Sequence, residues 1–246
     1  MGSCLVFTSG KGGAGKSTAV ATIGFCLAAM GRRVLCVDLD LRLPNLDLLL
    51  GLGDLTVRNV SDVLTGQYSL SDAVIEHPKT QGLFLLAGSA AVYTEIPTQE
   101  VLRSLIDEAR ARYDYCLVDT PSGMDALFSL TANVADAAIV LATSDATSQR
   151  DAQRVVMELD EMGMEDIRMI VNRAKLKLIA RSSTNVDDMM DFVGVPLLGV
   201  VPEDEDVIFA ATEAKALALT SKRRAASAFL RIAKRIEGEH VHEVYK

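Results

Sequence analysis

The stretch Gly10-Lys11-Gly12-Gly13-Ala14-Gly15-Lys16-Ser17-Thr18 limits the fold more than any other part of the chain. It follows the apolar run Cys4-Leu5-Val6-Phe7, which reads as a buried strand. Residues 19–30, rich in Ala, Val, Ile, Phe and Leu, then read as a helix packed on a sheet. A strand, a glycine loop ending in Gly-Lys-Ser and a helix, in that order, make a phosphate-binding loop. The glycines let backbone N–H groups turn inward, and the N-terminus of the helix adds partial positive charge. The backbone from Gly10 to Thr18 can therefore wrap a polyphosphate. In such a loop Lys16 reaches the β and γ phosphates, and the Ser17 hydroxyl ligates Mg²⁺.

The rest of the chain suits one large α/β unit. Of 246 residues, 49% are hydrophobic and 24% charged, enough for a well-buried core without a separate domain or linker. The formal net charge of −8 argues against a general nucleic-acid surface, which needs a basic field. No apolar stretch approaches the length of a membrane span, and the first strand begins too close to Met1 for a signal peptide. Cys4, Cys26, Cys36 and Cys116 lie scattered in apolar segments, without paired or metal-ligand spacing. They read as buried reduced thiols and exclude an iron–sulfur carrier.

Further strands are expected at residues 33–38, 83–87, 114–119, 137–142, 167–171 and 197–201, alternating with helices. Short helical pieces at 61–64 and 71–75 read as an insertion over the site, and 98–112 as an amphipathic helix. The expected architecture is a single doubly wound, mostly parallel sheet with helices on both faces, spanning 1–246. Ligands gather beyond the carboxyl ends of such strands. Two of those ends carry carboxylates. Asp38 and Asp40 follow the second strand, where one can orient an attacking water and the other can support Mg²⁺ through its water shell. Asp119 ends an apolar strand before Thr120-Pro121-Ser122-Gly123, the placement of a Walker B aspartate.

Lys11 is the unusual residue, because one lysine suffices to cradle phosphates. Gly-Lys-Gly-Gly-x-Gly-Lys-Ser is the deviant Walker A pattern, and the sequence resembles the MinD family of the MinD/ParA P-loop ATPases from Gly10 to about Lys215. Asp38-Leu39-Asp40 with Asn45-Leu46-Asp47 is similar to that family's switch I, and Asp119 with its Thr-Pro-x-Gly tail to its switch II. Ser148-Gln149-Arg150-Asp151 is similar to the start of its dimer-face and partner-binding helix. The resemblance implies an ATP- and Mg²⁺-dependent homodimer in which Lys11 reaches the partner's nucleotide, as an arginine finger does. It implies that Asp40 positions the water, that Asp119 and Asp38 serve the metal with Ser17, and that Asn172, before Arg173, reads adenine. It places Pro202, Glu203 and Asp204 near base and ribose. Septum placement with a MinC-like partner, on a membrane's inner face, is the implied task.

Departures from the family pattern keep other expectations open. Arg42 with Pro44 resembles the bacterial tyrosine kinases of the same superfamily, but the chain ends with Tyr245 as its only C-terminal tyrosine. A flagellar or polar-cargo positioning ATPase shares the same chemistry, as does a nucleotide-gated scaffold that hydrolyses negligibly. Residues 220–237 read as a basic amphipathic helix. Lys222, Arg223, Arg224, Arg231, Lys234 and Arg235 supply its charge, and Phe229, Ile232, Ala233 and Ile236 share one face. That pattern suits an anionic membrane surface, or the last core helix with a solvated basic side. The family's membrane helix follows this position, and residues 238–246 make a poor anchor.

Overall fold

A computed structural model describes the chain except for residues 42, 90–95, 180–184, 214, 216, 218–220, 222 and 243–246, and the side chains of 177 and 178. Its centre is an eight-stranded sheet in the order β3-β4-β2-β5-β1-β6-β7-β8. The strands are β1 (Ser3–Thr8), β2 (Val34–Asp38), β3 (Ile75–Glu76), β4 (Leu83–Leu86), β5 (Tyr115–Asp119), β6 (Ala137–Thr143), β7 (Ile167–Ala174) and β8 (Leu197–Pro202). All neighbours pair in parallel except β3, which runs antiparallel to the edge of β4. The helical turn expected at 71–75 is present but stops earlier, at Leu70–Ala73, because Ile75 and Glu76 pair with Leu85 and Phe84. Pairing across the edge outweighs local preference there.

The sheet buries both faces, so its strands are continuous apolar runs. Leu5 and Phe7 point to one side of β1, while Cys4 and Val6 point to the other, and the split continues across the sheet. On the Phe7 side lie α1 (Lys16–Ala29) and the last described helix, α11 (Arg224–Ile236). On the Val6 side lie α5 (Gln99–Arg112), α6 (Ala126–Ala132), α7 (Ala146–Glu161) and α9 (Val186–Val193). Helix α1 is buried without a break from Ala19 to Ala28. Gly24 lets it approach the sheet, since a Cβ there would lie 2.7 Å from Cys36 Sγ.

Short helices fill the connections: α2 (Leu46–Leu50), α3 (Val60–Leu64), α4 (Leu70–Ala73), α8 (Leu176–Ile179) and α10 (Glu205–Thr212). Helices α3 and α4 join the core on the α5 side through Val60, Leu64, Leu70 and Ala73. All four cysteines are buried free thiols. The expected last helix at 220–237 is shorter, starting at Arg224, and Lys222 lies outside the described residues.

Candidate functional site

Strand β1 lies where the strand order reverses, between β5 and β6, and the glycine loop leaves its carboxyl end. That is the switch point at which open α/β sheets bind ligands. Gly13 (φ 80°) and Gly15 (φ 91°) take the left-handed conformation that lets the loop curl, and Gly15 caps α1. The loop is braced from behind. Ser9 Oγ donates to the Lys11 carbonyl at 2.8 Å, and Gly123 N to the Ser9 carbonyl at 3.0 Å. A Cβ on Gly10 would meet the Asp151 backbone at 2.6 Å, so α7 packs directly on the loop's first residue. Lys16 is buried at the start of α1, with Ser17 and Thr18 partly buried beside it.

The carboxylates stand on the β2/β5 side of this loop. Asp38 and Asp119 face each other in register on adjacent strands, and both are buried. Asp38 accepts backbone N–H bonds from Asp40 at 3.0 Å, Asn45 at 3.0 Å and Leu46 at 3.1 Å, which fold the following loop around it. Asp40 is only partly buried, and its Oδ1 accepts from Leu43 N at 3.2 Å. Asp119 is fully buried, and neither of its oxygens has a hydrogen-bond partner. Burial pushes Asp38 up to about 6. Burial and then the Asp38 charge push Asp119 up to about 7, while Ser17 and Lys16 pull it back. A buried carboxylate with two orphaned oxygens beside a serine hydroxyl fits a hard cation. Among the described residues no group of three or more His, Cys, Asp or Glu could hold a metal alone. Mg²⁺, which takes one or two carboxylates plus phosphate oxygens, suits that donor set.

On the β6/β7 side a cleft of about 710 Å³ opens between Lys11, Gly13, Asp145, Arg173 and Glu203, walled by Met189. Its size suits a base and ribose. Lys11 Nζ lies 3.2 Å and 3.5 Å from the two oxygens of Asp145, the residue that caps α7. The Thr143 hydroxyl, the α7 backbone and Lys11 together hold Asp145 down at about 2. Neither the Asp145 contact nor the packing of Asp151 on Gly10 is foreseen in the sequence. Both need α7 to fold back on the loop.

Other expected site residues are placed as follows. Asn172 is buried, and its Nδ2 donates to the Ala14 carbonyl at 2.8 Å. Arg173 and Glu203 are exposed at the cleft and pair at 3.6 Å, next to partly buried Pro202. Asp204 is buried and turned into the fold. Its oxygens accept from Asp206 N at 3.2 Å and Ala225 N at 3.0 Å, joining the starts of α10 and α11. Arg42 lies outside the described residues.

The basic helix is part of the core. Ala225, Ala226, Ala228, Phe229, Ile232 and Ala233 of α11 are buried against α1 and β8. Gly199 lets it sit close, since a Cβ there would meet Ile232 Cγ1 at 2.6 Å. Glu237 pairs with Arg32, and Arg235 donates to the Leu198 carbonyl at 2.8 Å. The expected apolar face is thus covered by the protein itself, leaving Arg223, Arg224 and Leu230 exposed. No helix among the described residues is long and apolar enough to cross a membrane.

Comparison with known proteins agrees with this geometry. Residues 5–217 match the CobQ/CobB/MinD/ParA nucleotide binding domain. The septum site-determining protein MinD of Bacillus subtilis is 34% identical over 244 residues, covering 98% of this chain and 91% of that protein. MinD in a MinC:MinD cell division complex from Aquifex aeolicus superposes with a TM-score of 0.91 at 32% identity, covering 98% of both chains. MinD from Pyrococcus horikoshii, complexed with Mg-ADP, gives 0.85 at 29% identity over 96% of both. Likeness at this level over nearly the whole length makes the chain a member of the MinD septum site-determining ATPases, within the CobQ/CobB/MinD/ParA nucleotide-binding family.

Proposed function

We propose that this protein is a Mg²⁺-dependent ATPase that pairs with a second copy when it holds ATP and takes part in placing the division septum. The observation that carries this is the buried, unpartnered Asp119 beside Asp38, Ser17 and Lys16 at the mouth of a phosphate loop. Lys16 and the backbone of Gly10 to Thr18 bind the β and γ phosphates. Ser17 and Asp119 hold Mg²⁺, and Asp38 supports it from outside. When bound, the ion neutralises charge that develops on the transferred phosphoryl group. Asp40 orients the attacking water. Asn172, Arg173, Pro202 and Glu203 shape the base and ribose side, while Asp204, turned into the fold, holds the starts of α10 and α11 together.

Lys11 acts on the nucleotide of the second copy. Its contact with Asp145 is an ion pair between half-exposed side chains. Such pairs contribute about 0–1 kcal/mol, weak enough to exchange for a phosphate. A MinC-like division regulator is the proposed partner, since the Aquifex aeolicus relative is seen in a complex with MinC.

The raised carboxylates set a pH dependence. Both are raised above the usual 3.8, so the folded, metal-free protein binds protons more tightly than the unfolded chain. Burying these charges therefore costs stability at pH 7, and the cost is lifted as pH falls through 7 and then 6. Mg²⁺ needs the ionised forms. Mg-nucleotide affinity is expected to fall by about tenfold per pH unit below 6.5, with proton uptake when the metal leaves. Calorimetry in two buffers of different ionisation enthalpy measures this. A flat affinity from pH 5.5 to 7.5 would remove Asp119 from the metal site.

The proposed location is peripheral, on the inner face of the cell membrane. Since the apolar face of α11 is buried, attachment falls to the exposed basic side or to a partner. Anionic vesicles are expected to pellet the protein with Mg-ATP and not with Mg-ADP. No pelleting in either state would assign the attachment to a partner protein.

A further inference from the structure

The end of β7 carries a feature that nucleotide contact alone does not explain. Val171 pairs with Val200 of β8, but the next pair is Ala174 with Pro202, so β7 holds one extra residue. This is a β-bulge, a device that re-aims side chains next to functional sites. Within it Arg173 adopts φ 52°, a left-handed conformation that is costly for any residue with a Cβ. The bulge turns two consecutive side chains onto two consecutive carbonyls of the phosphate loop. Asn172 Nδ2 donates to Ala14 O at 2.8 Å, and Arg173 Nη1 donates to Gly13 O at 3.4 Å.

From this geometry we infer that Asn172, assisted by Arg173, is a positioning residue for the phosphate loop, setting its shape for a triphosphate whatever base is attached. The inference rests on the nucleotide-binding function proposed above and names a determinant of that same site.

The peptide unit is planar, with its C=O and N–H pointing opposite ways. Holding the carbonyls of Gly13 and Ala14 toward β7 therefore turns the N–H groups of Ala14 and Gly15 away from it, as a loop that binds anions through its amides requires. Asn172 is 5% exposed, so its bond to Ala14 is shielded from competing water. The fit is close on the loop side too. A Cβ on Gly15, which sits at φ 91°, would lie 2.3 Å from Asn172 Nδ2. Thr143 of β6 pairs with Asn172 from the other side and keeps its backbone in the sheet. An amide is the right group here, because a carboxylate would set negative charge against a carbonyl oxygen.

The test compares wild type with Asn172→Ala and Asn172→Ser, neither of which reaches the Ala14 carbonyl. Calorimetry reads the affinity for Mg-ATP, Mg-GTP and inorganic triphosphate with Mg²⁺. Thermal unfolding of the unliganded proteins confirms that binding is measured well below the transition. Inorganic triphosphate, which carries no base to be read, is expected to bind about tenfold more weakly to the variants. Unchanged triphosphate affinity would overturn the inference, whether the preference for ATP collapses or the variants merely melt earlier. The serine variant carries the test if the alanine variant does not fold. A wild type that binds neither ATP nor triphosphate would refute the nucleotide function itself, and the inference with it.

Discussion

Replacing Asp40 with alanine is expected to slow ATP turnover by about a hundredfold to ten-thousandfold while leaving Mg-ATP binding nearly intact. Asp38 is fixed by three backbone N–H groups, so the loop that carries Asp40 starts from a rigid point. Asp40 itself is partly exposed and accepts one backbone bond, at 3.2 Å from Leu43 N. A carboxylate has about four lone-pair sites, so capacity remains to hold a water. Its neighbour cannot take over, because Asp38 is buried and engaged with the backbone. Turnover by Asp40→Ala at the wild-type rate would place the water-orienting group elsewhere. Asp40→Asn separates charge from hydrogen bonding, and a partial loss there would show that both matter.

The second large effect is at Lys16. Lys16→Met is expected to weaken Mg-ATP and Mg-ADP binding by at least roughly a hundredfold, because a buried charge partner of the phosphates is lost. Methionine keeps most of the volume at the start of α1, so the fold should survive. Lys16 is also one of the two groups that favour the charged form of Asp119. Without it the Asp119 pKa rises above about 7, and the pH at which Mg²⁺ binds moves up with it. The two consequences have one cause, so they should appear together. Unchanged nucleotide affinity in a folded Lys16→Met protein would mean that the loop does not bind phosphate through this side chain.

Much of the fold is legible in the sequence for a simple reason. Strands buried on both faces are apolar runs, and several are followed by Gly or Asp at their carboxyl ends. The phosphate loop, Asp38, Asp40 and Asp119 follow from that pattern. Elements fixed by distant partners do not. β3 exists only because Ile75 and Glu76 meet β4. Asp204 looks like a site residue until Ala225, far along the chain, claims its Oδ2. The bulge that aims Asn172 depends on the register of β8, which no local signal encodes. Helix α11 has the pattern of a membrane helix and of a core helix at once, and only the burial of Phe229 and Ile232 decides between them. Other misses had a signal. Asn185 and Asp188 form a capping box that marks the start of α9, and Asp125 caps α6.

The central claim is ATP-driven pairing of two copies through Lys11, and the most direct measurement is the mass of the protein in solution. Light scattering should give a dimer with Mg-ATP and a monomer with Mg-ADP. Asp40→Ala should hold the dimer longer, since it binds ATP without hydrolysing it. Lys11→Ala should bind ATP yet remain a monomer and lose turnover. A monomer in both nucleotide states, or an ATP-dependent dimer of Lys11→Ala with wild-type turnover, would contradict the account.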